Sequence, residues 1–297
     1  MVNQERSPDK SLQIRFAYYS KHQLKHIQPV TLKRDDCVPW DVTFNVGNPL
    51  LEYGLFVNLL DTWNDTIHYK GIMSWKALRK SRVDLNYLSS QIDIGVRQGY
   101  EAIIFNPAIG NNAVFENMWA QAIAVGHPGF EKLMDKLSLS HLTFEILPVS
   151  SFAACSYIIG TRSFWSNYLD YIDASLDSFD ELAENDSAFD ALYFGSAGYH
   201  RDPELDYRPF IIERLLQMYL VNRHVDYYYI PPTHEWFVTK FGSLGDELFE
   251  LYKLKQDAVD DDRTAKVWRD RRDILCPFES DTFFNILRMD DPEIDLG

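Results

Sequence analysis

Asp84-Leu85-Asn86-Tyr87-Leu88-Ser89-Ser90-Gln91-Ile92-Asp93-Ile94-Gly95-Val96-Arg97-Gln98-Gly99-Tyr100-Glu101-Ala102-Ile103-Ile104-Phe105 is the stretch on which the fold turns. Leu85, Leu88, Ile92 and Val96 recur at helical spacing behind Asp84, a residue type that caps a first turn. Gly99 supplies the left-handed residue that ends such a helix, and Glu101 to Phe105 reads as a strand. Helix, glycine and strand in succession predict an α/β sandwich with an at least partly parallel sheet.

Working outward, residues 12–19 alternate and predict a first strand that ends in a polar loop from Ser20 to Gln23. Asp41 to Val46 predicts a second strand, closed by the breakers Gly47-Asn48-Pro49, with a helix from Pro49 to about Trp63. The apolar run Ile67 to Trp75 follows. Helices are expected at 112–125, 128–138, 162–175 and 209–222, and strands at 142–148, 152–159 and 226–230. The acidic stretch 177–190 is poorly patterned. Beyond Pro231-Pro232 the chain reads as helical and charged, so we divide it into residues 1–232 and a helical, acidic C-terminal extension, 233–297.

The 297-residue chain carries a formal charge of −15, which disfavours duplex DNA as a partner because DNA binders need a cationic face. Cys37, Cys155 and Cys276 are odd in number and without a CxxC, as expected for free thiols in a reducing compartment. The start is polar, with no apolar segment of a signal peptide, and no apolar run approaches the ~18 residues of a membrane span. These features predict a cytoplasmic protein. At 14%, aromatic residues are abundant, either as core or as stacking surfaces for a base or a sugar.

The chemistry-bearing segment is Thr66 to Val83, with Lys70, Lys76, Arg79, Lys80 and Arg82 and no acid. Departure of a nucleoside diphosphate from a sugar leaves negative charge that a metal or a group of Lys and Arg must offset. A basic helix face paired with acidic surface elsewhere is the alternative. A metal route calls for Asp-x-Asp after a strand, yet the expected strand at 101–105 runs into Asn106-Pro107. The one formal match, Asp260 to Asp262, sits in a charged run far from a strand end, and we expect no metal and no separate cofactor. In Tyr207-Arg208-Pro209-Phe210-Ile211-Ile212-Glu213-Arg214, Pro209 opens a helix. Glu213 there is either a dipole-stabilised carboxylate or a general base. His22 and His26 have metal-like spacing but no Glu or Cys beside them, and His200 and His234 read as polar loop residues. GxSxG, P-loop and GxGxxG motifs are absent.

In order, Glu52-Tyr53, then His68-Tyr69-Lys70-Gly71-Ile72-Met73-Ser74-Trp75-Lys76, resembles the opening of bacterial polysaccharide glycosyltransferases with a "GLCHYRR"-type segment. Ser156-Tyr157-Ile158-Ile159-Gly160-Thr161 followed by Phe164-Trp165 and Tyr168-Leu169 is similar to their "NMFI…F…Y" strand and helix. Pro209 to Leu216 with Tyr219-Leu220 is similar to their "GFLAERLL…WL" helix. The resemblance spans roughly residues 12–232 and departs where two arginines become Lys70 and Gly71 and an Asn becomes Ser156. It implies a GT-A-like fold with a mixed, mostly parallel sheet and transfer of a sugar during O-antigen or capsule assembly. The donor would be a nucleotide-sugar and the acceptor a glycan or lipid-linked glycan, met at the inner face of the membrane.

On this reading Lys76 and Glu213 are the catalytic candidates, and Tyr19, Ser20, Lys21, Asn45, Trp75, Lys80 and Arg208 hold the nucleotide. Two other readings stand beside it: a scaffold protein that kept the fold without the chemistry, and a sugar transferase acting on modified DNA bases.

Overall fold

The computed structural model describes residues 11–125, 129–198 and 204–290. The expected loop histidine His200 and the acidic tail beyond Asp290 lie outside them. The first half contains β1 (Leu12–Tyr18), α1 (Leu24–Thr31), β2 (Cys37–Asp41), α2 (Glu52–Asp61), β3 (Tyr69–Ser74), α3 (Ala77–Ser81), α4 (Leu85–Gln98) and β4 (Ala102–Phe105). It continues through α5 (Ile109–Val114), α6 (Met118–Ala124), α7 (Phe130–Lys136), β5 (Tyr157–Thr161), α8 (Arg162–Asn185), α9 (Ser187–Tyr193), α10 (Arg208–Asn222) and β6 (Tyr227–Tyr229). Four helices close the described chain: α11 (His234–Phe241), α12 (Gly245–Asp257), α13 (Asp262–Leu275) and α14 (Asp281–Asp290).

The decisive stretch folds as its pattern dictates. Asp84 accepts hydrogen bonds from the N–H groups of Asn86 and Tyr87, and Gly99 ends α4 with φ of 83°. The six strands form one sheet in the order β2-β1-β3-β5-β4-β6. β1 pairs in parallel with β2 and β3, and β4 with β6, whereas β5 runs antiparallel between β3 and β4. The protein is therefore an α/β sandwich with a mixed, mostly parallel sheet.

Alternation along each strand splits the core into two layers. Ile14, Phe16, Met73, Ile103, Phe105 and Ile159 face one layer, shared with Ile27, Leu88, Trp236, Leu251, Trp268 and Phe283 from α1, α4 and α11 to α14. Ala17, Ile72, Ala102, Ile104 and Ile158 face the other, with Phe56, Trp119, Trp165, Tyr168, Ile211 and Leu215. The C-terminal helices thus share one face of the sheet with α1 and α4. From Trp236 to Leu287 the expected extension contributes buried side chains to that layer. Among the described residues no helix is long and apolar enough to cross a membrane.

Two expected strands are corrected. Residues 41–46 are mostly a 3-10 turn, Thr43–Asn45, and the second strand lies earlier at β2. Residues 142–148 hold the end of another 3-10 turn, although Leu142, Ile146 and Leu147 are buried as a strand pattern would ask. The acidic stretch after 177 continues α8 to Asn185 and then forms α9.

Candidate active site at the carboxyl edge of the sheet

Because β1, β3, β4 and β6 are parallel, their carboxyl ends share one edge, where open α/β sheets bind ligands. The antiparallel β5 brings its first residue, Tyr157, to that same edge. Ser74 at the tip of β3 lies beside Ala17 of β1, and its hydroxyl is 2.5 Å from the Tyr157 hydroxyl. Trp75 N–H donates to the Ala17 carbonyl at 2.9 Å, and Lys76 N–H donates to Ser74 Oγ at 3.2 Å. Lys76 caps α3 and Lys80 follows one turn later, so the two ammonium stems rise on one face.

Lys80 Nζ donates to Cys155 Sγ at 3.6 Å. Cys155 N–H in turn donates to Glu213 Oε1 at 2.9 Å, while Arg214 Nη1 holds Glu213 Oε2 at 3.2 Å. Arg214 is buried and is itself fixed by the carbonyls of Phe210 (2.6 Å) and Met118 (3.2 Å), so it braces Glu213 from behind. Within electrostatic range of Glu213 and Lys80 is Glu52, the first residue of α2. Burial pushes its carboxyl up, the Glu213 charge pushes it further, and its own N–H, Lys80 and Lys76 pull the other way. The Tyr157 hydroxyl is also pushed up, first by burial and then by Cys155, with Lys80 opposing and Glu52 adding to the rise.

Backbone strain gathers here. Leu51, Cys155 and Ser156 have φ of 45°, 67° and 49°, left-handed values that non-glycine residues rarely hold, at about 1–3 kcal/mol each. Leu51 is held by Asn45 Nδ2, which donates to its carbonyl at 2.7 Å, and Asn48 Nδ2 donates to Asn45 Oδ1 at 2.9 Å. This pair fits only because residue 54 is glycine: a Cβ there would stand 2.2 Å from Asn48 Nδ2 and 2.4 Å from Asn45 Oδ1.

The structure brings Lys76, Lys80 and Glu213 together, with Trp75 beside them. Trp75 lies 5.2 Å from the His26 ring, and Lys76 Nζ lies 5.3 Å from the Trp75 centroid. Tyr19, Ser20 and Lys21 are exposed just past β1, where Gln23 Oε1 accepts the N–H groups of Tyr19 and Ser20 at 2.6 and 3.1 Å. Asn45 is buried in the turn before α2 and acts on Leu51 rather than lining a strand tip. Arg208 is committed to Asp206, with two bonds to Oδ2 at 3.0 and 2.6 Å, and lies over the Phe194 ring.

Of the five basic residues in the 70–82 run, Lys70 goes elsewhere. It is fully buried, donates to the carbonyls of Thr62 and Leu59, and has its pKa pulled down to about 8 by burial. Arg82 ends α3 in a left-handed conformation. Asp261 of the formal Asp-x-Asp caps α13. His22 Nε2 is 2.8 Å from Lys25 Nζ, and His234 Nε2 is 2.6 Å from Asp246 Oδ1. Among the described residues no group of three or more His, Cys, Asp or Glu is placed to hold a metal ion.

Sequence reasoning missed Ser74, Cys155 and Tyr157, and it took Glu52 only as part of an ordered pattern. Two cavities are lined by residues other than these. One of about 240 Å³ sits between α1, α4 and the first three strands, and one of about 440 Å³ lies against α13. No protein-family model, curated protein or solved structure matches this chain.

Proposed function

We propose that this chain is a glycosyltransferase with a GT-A-like fold, passing a sugar from a nucleotide-sugar donor to a glycan or lipid-linked glycan acceptor in surface-polysaccharide assembly. The observation that carries the reading is the meeting of Lys76 and Lys80 with Glu52 and Glu213 at the carboxyl edge of the sheet. A nucleotide-sugar has an anionic phosphate end and a neutral, hydroxyl-rich end. Two ammonium groups match the first, and two carboxyl groups accept hydrogen bonds from the second. Trp75 and His26 add aromatic surface for the base beside Lys76.

Calorimetry with UDP, GDP and CMP tests the reading. One of them should bind, and Lys76→Ala with Lys80→Ala should weaken it about 10–100-fold per lysine, the worth of a charge-assisted contact of about 1.5–3 kcal/mol. An intact fold that binds none of the three would refute it. The scaffold reading retains one observation in its favour, that β4 and β3 run into Asn106-Pro107 and Trp75-Lys76 rather than Asp-x-Asp. Unchanged glycan production in the native host carrying Lys76→Ala would decide for it.

A further inference from the structure

We propose that Glu52 is the base of this site, taking the proton of the acceptor hydroxyl, while Glu213 only positions the sugar. This rests on the nucleotide-sugar reading above. Both oxygens of Glu213 are already engaged, one by the Cys155 N–H at 2.9 Å and one by Arg214 at 3.2 Å. Those two bonds hold the carboxylate in one place, as a group that positions a sugar requires. Glu52 differs: among the described residues no hydrogen bond from another residue reaches its carboxyl, and the residue is open to solvent although protein crowds the carboxyl from all sides.

Its surroundings are charged and asymmetric. It feels the charges of Glu213 on α10, of Lys80 on α3 and of Lys76 just before it, and it acts in turn on Tyr157 of β5. The wholly buried Tyr168 hydroxyl, which has no hydrogen-bond partner, also feels the Glu213 charge. Glu52 is also the residue whose approach is fixed by the strained Leu51 and its Asn45 clamp, so its position is built rather than incidental. Burial and the Glu213 charge raise its proton affinity above that of an ordinary carboxylate, which suits a group that must accept a proton.

The acceptor oxygen bonds to the anomeric carbon. The bond from that carbon to the phosphate oxygen breaks, with its electron pair leaving on the phosphate beside Lys76 and Lys80. The hydroxyl proton passes to Glu52.

The test uses Glu52→Gln and Glu52→Asp in the full chain. Binding of UDP, GDP and CMP is read by calorimetry, and release of nucleotide from the matching nucleotide-sugars, with water as acceptor, is followed against pH. The wild-type rate should climb with pH as Glu52 loses its proton, above the usual carboxylate range. Glu52→Gln should bind nucleotide like wild type, release it at least about 100-fold more slowly, and lose that climb. Glu52→Asp should keep it. Nucleotide binding together with a wild-type rate and profile in Glu52→Gln overturns the role of Glu52 alone. A wild-type chain that binds no nucleotide overturns the underlying reading, and the role of Glu52 with it.

Discussion

Lys255 offers a test of the fold that is independent of function. Its amine is fully buried on α12, donating to the Asn112 carbonyl at 2.8 Å and to Asn112 Oδ1 at 3.1 Å, and lies over the Phe152 ring. Burial pulls its pKa down to about 7, with Arg272 acting in the same direction and Glu116 against it. The unfolded chain holds this proton up to about pH 10.4, so between about pH 7 and that value the unfolded state binds more protons than the folded one. Stability must then rise with pH. Applying the linkage relation to the two pKa values gives a gain of about 2 kcal/mol between about pH 7 and about pH 9 from this one group.

Urea unfolding of wild type and Lys255→Met across that range isolates the gain. Lys70, whose pKa is also lowered, contributes with the same sign but equally to both proteins. The variant is less stable throughout, because Asn112 loses its donor. Its pH profile should be flatter than that of wild type by about 2 kcal/mol over the interval. Parallel profiles would refute the assignment of Lys255 as a buried amine that gives up its proton in the folded state.

Other outcomes follow from packing and access. Gly54→Ala should push Asn48 and Asn45 aside and release Leu51, lowering stability by about 1–3 kcal/mol, read from urea midpoints, and slowing nucleotide-sugar turnover while nucleotide binding persists. A chain ending at residue 232 should lack cooperative unfolding by circular dichroism, because α11 to α14 supply much of one layer of the core. Iodoacetamide should label Cys155 well before the other two thiols by mass spectrometry. Cys155 is part-exposed beside Lys80, whereas burial pushes Cys37 up to about 12 and Cys276 up to about 11.

The backbone was most legible where local signals agreed. Asp84, Gly99 and the apolar spacing between them define α4 without tertiary help, and Pro209 likewise opens α10 at its second residue. Residues 41–46 mislead because Val42, Phe44 and Val46 alternate like a strand. Only Val42 is buried, and Phe44 and Val46 are 56% and 67% exposed. The true strand, β2, contains Pro39, which a sheet tolerates because β2 is an edge. In the site, Lys76 and Lys80 stood out by their spacing in a basic run. Glu52 did not, since an acid in a first helical turn is what the dipole favours anywhere. The left-handed Cys155 and Ser156 carry no glycine to announce them. Arg208 looked available only because the bond to Asp206, two residues away, depends on the turn between them.

The placing of β5 between β3 and β4 also bears on how the chain is made. β4 finds its two sheet neighbours only in β5 and β6, both of which emerge after it. From Phe105 to Tyr157 the ribosome must add about fifty residues, roughly 3–10 s of synthesis, during which β4 has no strand to join and one flank of β3 stays bare. Such unpaired apolar edges invite pairing between nascent chains, so yield during expression should depend on how fast Tyr157–Thr161 arrives to close the gap.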